Sequence, residues 1–140
     1  MIRLLSMADK AYCIKRRLVD NSEQVMWHMV KIAVSTHEDS YNHWRQEIYS
    51  FLSRVPKIKS GKRYPSFKFI YDAIWEVWGD SFDTFIRQAY GEYGDETRAV
   101  DVADITKRAE RYFRWLSEEL SAKGAVTPSS VYSKLGELGF

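Results

Sequence analysis

One stretch constrains this chain more than any other: Glu23 to Val34, reading EQVMWHMVKIAV. Val25, Met26, Trp27, Met29, Val30, Ile32, Ala33 and Val34 leave it almost no polar face. A helix that is apolar nearly all round is stable in water only when other elements surround it. The chain is therefore expected to wrap further helices around this segment.

The rest of the sequence supplies them. Ala8, Ala11, Ile14 and Leu18 recur at helical spacing, and Asp20-Asn21-Ser22 offers three residues able to cap the apolar helix beyond them. Tyr41, Trp44, Ile48, Phe51 and Val55 form the cleanest stripe, closed by Pro56. Ser66 can cap a helix carrying Phe67, Ile70, Tyr71, Ile74, Val77 and Trp78, with Gly79 at its end. A short helix from Asp80 or Ser81 carries Phe82, Phe85, Ile86 and Ala89. The longest helix runs from about Val100 to Lys123 with Gly124 behind it. Thr127 and Pro128 open the last one. No strand-like alternation and no repeat is present. The expectation is an all-α, compact single-domain bundle of six to seven helices over residues 1–140. Trp27, Trp44, Phe51, Ile74, Phe113 and Leu116 should lie inside it.

Nothing in the sequence assembles into catalytic machinery. Ser60-Gly61-Lys62 lacks the earlier glycine and preceding strand of a phosphate-binding loop. His37-Glu38 begins a zinc-protease pattern, but Tyr41 stands where the second histidine belongs. Asp39, His43 and Glu47 share a helix face opposite the Trp44 stripe and read as a solvated surface rather than a metal site. His28 reads as a hydrogen-bonded interior histidine, and the lone Cys13 as a small, partly buried hydrophobe. The reading is non-catalytic, with no cofactor and no metal. No run is long and apolar enough to span a membrane, and a single cysteine fits a reducing compartment, so a cytoplasmic location is expected.

Charge is where function surfaces. Net charge is +2, but Ile48 to Tyr71 carries six basic side chains and no acidic one, leaving the remainder net acidic. Arg54, Lys57, Lys59, Lys62, Arg63 and Lys68, with Tyr64 among them, supply phosphate-neutralising cations and a ring able to stack on a base. Lys15, Arg16 and Arg17 form a second basic knot. The leading expectation is a nucleic-acid-associated module, such as a small nucleoprotein-complex subunit or compact regulator. The alternative is a protein-binding module, an inhibitor, immunity factor or assembly subunit, with Tyr49, Tyr64, Trp75, Tyr90 and Tyr93 as exposed aromatic anchors.

The C-terminus adds a further element over residues 125–140. A long helix, a glycine turn and a Thr-capped short helix have a helix-turn-helix outline. The order V-T-x-x-S-V-Y-x-x-L-x-x-L resembles the recognition-helix region of some winged-helix transcription regulators. That resemblance implies core roles for Val126, Val131, Leu135 and Leu138, a cap at Thr127, and a DNA-reading face of Ser129, Ser130, Ser133 and Lys134. The competing reading is a terminal amphipathic helix that only packs Val131, Leu135 and Leu138 onto the bundle.

Overall fold

A computed structural model describes residues 7–56 and 65–140, residues 7–11 by backbone alone. Among the described residues the chain is all-α: α1 Met7–Val34, α2 Tyr41–Ser53, α3 Phe67–Tyr71, α4 Phe82–Tyr93, α5 Val102–Lys123 and α6 Pro128–Glu137. Two short 3-10 turns, Glu38–Ser40 and Gly79–Ser81, lead into α2 and α4. The single β feature among these residues is an isolated antiparallel bridge between Ser35 and Thr97.

The expected count of six to seven helices is corrected. Five elements are regular α-helices of ten residues or more, and α3 is a short turn of helix that passes into a π-helical turn, Asp72–Glu76. The expected break at Asp20-Asn21-Ser22 is absent, so two predicted helices form one of 28 residues. The would-be caps turn backwards instead: Ser22 Oγ donates to the Val19 carbonyl at 2.9 Å and Asn21 Nδ2 to that of Arg17 at 2.8 Å. The Trp78 indole N–H also donates to Val19, at 2.9 Å, tying the junction to the end of the α3 region. Leu18 and Ser22 are buried beside it. Tertiary packing overrides the local capping signal.

The second half of α1 is the axis of one hydrophobic cluster. Val25, Met26, Met29, Val30 and Val34 are fully buried. α2 and α4 pack along α1, α3 packs on α5, and α6 lies on α2. Trp44, Ile74, Phe113 and Leu116 are interior as expected. Trp27 and Phe51 are only half-buried at the cluster's edge. On α2 it is Leu52, beside Phe51, that enters the core with Trp44 and Ile48.

The π turn accounts for another displaced residue. It widens one turn of helix and rotates the residues after it. Ala73 and Ile74 are buried, whereas Val77, in phase with Ile70 and Ile74 in a regular helix, is 43% exposed. Phe69, not Phe67, packs against the core, and Phe67 stacks on Tyr71 with centroids 5.4 Å apart. Elsewhere the local signals hold. Ser66 accepts from the Phe69 N–H, Gly124 takes the left-handed C′ position at φ 75°, and Thr127 forms a reciprocal capping box with Ser130.

Trp75 leaves the π turn to lie 6.1 Å from Phe113 and 6.5 Å from Phe82, centroid to centroid. Its indole covers Gly79 so closely that a Cβ there would sit 2.8 Å from Cε2. A methyl at this position must push a packed ring. Gly79→Ala is expected to destabilise the fold by about 1–3 kcal/mol, read as a lower urea midpoint. An unchanged midpoint would mean that the Trp75 ring yields without cost.

Candidate nucleic-acid interface

The cationic residues fall into three groups. Lys57, Lys59, Lys62, Arg63 and Tyr64 lie outside the described residues. Both flanks of that segment are described, and both carry an exposed base. Arg54 comes directly after α2 with its guanidinium 5.0 Å from the Phe51 ring, and Lys68 stands in the first turn of α3. Lys68 pairs with Asp72 at 2.9 Å, which raises its pKa.

Lys15, Arg16 and Arg17 are all exposed on the first half of α1. Lys15 lines a shallow hollow with Phe69, Asp72, Ala73 and Glu76, so it and Lys68 both approach Asp72. This brings the basic turn of α1 to the same side of the molecule as the exit from the cationic connector. Asp72 and Glu76 moderate the positive field there. Arg16 reaches Asp20 only at 3.9 Å, across an open helix surface, a contact worth little in water.

Tyr12, which sequence pattern alone did not single out, sits one helical turn before Arg16. It is 61% exposed, the most exposed large apolar side chain among the described residues. With Cys13, Arg16 and Arg17 it borders one open hollow. The spacing from Arg16 was the available signal, since residues four apart share a helix face. Cys13 is exposed here, not the partly buried hydrophobe expected.

The aromatic surface required by the protein-binding reading has a different placement. Tyr49, Trp75, Tyr90 and Tyr93 are half-buried and pack against the core, while Tyr64 lies outside the described residues. α5, the Gly124 turn and α6 follow one another in that order, with Val131, Leu135 and Leu138 buried. Ser129 and Ser133 are exposed. Ser130 is engaged in the cap of its own helix, and Lys134 pairs with Glu137 at 3.2 Å. α6 presents its packing face to α2, where Tyr132 meets Tyr49 at 6.3 Å.

Two polar clusters were not visible as such in the sequence. The first lies in the α1–α2 seam. Buried His28 has Nδ1 at 2.7 Å from the Gln24 carbonyl and Nε2 against the Glu47 carboxylate, whose other oxygen meets His43 at 2.9 Å. The face of Asp39, His43 and Glu47 is therefore not wholly solvated: Glu47 reaches back into the seam, His43 stays exposed, and Asp39 lies before α2. Among the described residues no group of His, Cys, Asp or Glu converges as a metal site. Lys31 completes the seam, its ammonium 5.0 Å from the Trp44 ring centroid, where burial lowers its pKa.

The second cluster lies where α1 ends. Arg98 donates its backbone N–H to Val34 and its guanidinium to the Ser35 carbonyl and the Tyr41 hydroxyl. Arg45 and Arg108 converge on the same hollow from α2 and α5. Because these arginines are widely separated in sequence, no spacing announces them.

Comparison of the chain with protein-family models, curated proteins and solved structures finds no significant match.

The seam gives a pH dependence with a definite sign. Burial, helped by Lys31, lowers the pKa of His28 against the opposing pull of Gln24 and Glu47. For Glu47, partial burial pushes upward but is outweighed by His28, His43 and Lys31, which hold the carboxyl low. Both groups bind protons less readily folded than unfolded, so stability is lost as pH falls through their titration. The His28 contribution is complete above its ordinary pKa of 6.5 and lost as pH drops through the lower folded value. Wild type is expected to lose melting temperature from pH 7 toward pH 5, and His28→Gln to flatten that loss. Parallel pH profiles for the two proteins would rule His28 out as its source.

Proposed function

We propose that this protein is a non-catalytic nucleic-acid-associated helical module that contacts the phosphate backbone of a single-stranded segment. The observation that carries the proposal is the exposed Tyr12 ring one turn from Arg16, on the helix that bears Lys15, Arg16 and Arg17. Phosphate neutralisation needs mobile, solvated cations, and unpaired bases need an accessible ring face. This face of α1 offers both. Arg54 and Lys68 extend it at the two ends of the cationic connector, whose Lys57, Lys59, Lys62 and Arg63 contribute further phosphate contacts. Tyr64 is a second ring for stacking. A duplex would use the cations but not the rings, which is why the reading favours single strands. The proposed cellular setting is a cytoplasmic nucleoprotein complex, in which the module acts as a small subunit or compact regulator.

Fluorescence anisotropy with a labelled oligonucleotide tests this directly. Binding should weaken steeply between about 50 and 200 mM salt, as counterion release requires. Tyr12→Ala should cost roughly 1–3 kcal/mol of single-strand affinity, the usual worth of one stacked base, and far less for a duplex. Charge reversal of Lys57, Lys59, Lys62 and Arg63 together should abolish binding with the thermal melt intact. If that variant binds as wild type does, and Tyr12→Ala is silent, the protein is not a nucleic-acid module of this kind.

A further inference from the structure

Ala33, near the other end of α1, lies about 25 Å from Arg16 by helical rise, and it borders a hollow of about 340 Å³. Ile32, Ala33, Val100 and Ile105 give this hollow an apolar floor, and Arg45, Arg98 and Arg108 line it with Tyr41. Two aspartates also line it, each with one carboxylate oxygen engaged. Asp101 accepts the Ala103 and Asp104 N–H groups as the cap of α5, and Asp104 accepts from Arg108 Nε at 3.1 Å.

Each guanidinium is anchored by protein acceptors and still has N–H groups with no partner among the described residues. Arg45 donates Nε to the main-chain oxygen of Phe140 and Nη1 to Asn42, both at 2.9 Å. Arg108 donates Nη1 to the carbonyls of Leu138 and Gly139. Arg98 uses Nη2, leaving Nε and Nη1. A guanidinium carries five donors, so these anchors fix its plane without exhausting it. Both guanidiniums lie near the Tyr41 ring, Arg45 at 6.0 Å and Arg98 at 5.8 Å from its centroid.

The segment that carries Arg98 is itself held. The Arg98 carbonyl accepts from the Tyr90 hydroxyl at 2.8 Å, Val100 N–H donates to that hydroxyl at 3.2 Å, and Thr36 N–H donates to Glu96 at 3.1 Å. Donors ordered before a ligand arrives cost less on binding than donors that must be gathered.

We propose that this hollow binds a small organic oxyanion, with a phosphate or carboxylate group met by Arg45 and Arg98 and a compact apolar body on the floor beside Ile32 and Ile105. A planar donor fork matches either acid group in a bidentate manner, and the volume falls within the range of small-molecule sites. The site is separate from the α1 basic face and independent of the nucleic-acid reading.

Phenyl phosphate and benzoate are the probes, titrated into the isotope-labelled full chain while amide signals are followed by NMR. Shifts are expected at Ala33, Ala99, Val100 and Gly139 with either probe, and the stronger of the two assigns the acid group. Arg98→Gln and Arg45→Gln should each weaken binding by roughly tenfold, the scale of a lost charge-assisted hydrogen bond. Arg98→Lys, which keeps the charge and its anchor to Ser35 within reach, should weaken binding less than Arg98→Gln while preserving the melt. Neutralising Lys15, Arg16 and Arg17 should leave probe binding unchanged, and Arg98→Gln should leave oligonucleotide binding unchanged. The proposal is overturned if neither probe shifts these amides at about 10 mM, near the weak limit of specific binding. It is equally overturned if binding survives loss of both arginines.

Discussion

The fold depends on one requirement: the second half of α1 must be removed from water over most of its surface. A surface helix satisfies its apolar stripe with one neighbour, but Val25, Met26, Met29, Val30 and Val34, with His28 and Ile32, exclude water around most of the circumference. α2 and α4 therefore both lie along α1, and the remaining helices pack outward from that arrangement. The helix is about 42 Å long at its regular rise, longer than the part so covered. Its first half consequently runs past much of the core with Tyr12, Lys15, Arg16 and Arg17 exposed. The basic face exists because the helix that carries it is anchored elsewhere.

Burying a helix also creates an obligation at its end, where the last carbonyls have no intrahelical donor. Ser35 is fully buried, so water cannot serve there. The donors come from outside the helix: the Arg98 N–H for Val34, and the Arg98 guanidinium with the Tyr41 hydroxyl for Ser35. The connection between α4 and α5 is drawn across the end of α1 by this need, which also accounts for the isolated bridge of Ser35 with Thr97. Arg98 is fixed for a structural reason, and it also lines the hollow.

Legibility in the sequence depended on which forces are local. The Ser66, Thr127 and Gly124 boundaries could be read because each is decided by a side chain or a φ value within a few residues. Asp20-Asn21-Ser22 misled because the same side chains can cap a new helix or bond back to the old one. The choice was made by Trp78, 59 residues away from Val19. The Val77 error has a similar origin: a constant period of 3.6 cannot anticipate a π turn whose packing depends on Trp75, Phe82 and Phe113. The basic knot of α1 was legible as a run, and Tyr12 became informative only once exposed. The arginine hollow had no linear signature at all.

The two ends of α1 share a sign of charge but differ in how their donors are held, and that difference bears on what each can recognise. At the first end the cations project from the exposed surface of the helix with at most long contacts to acids, as in Arg16 with Asp20 at 3.9 Å. Such side chains track a flexible polyanion at any register, and salt screens them readily. At the second end the guanidinium planes are set by backbone carbonyls and the Tyr41 hydroxyl, in a concavity with an apolar floor. Fixed planes discriminate shape, because a misdirected acceptor loses the fork geometry that makes arginine selective. A backbone-tracking surface and a shape-selective pocket thus arise from the same helix, one end projecting beyond its cover and the other buried deeply enough to demand donors.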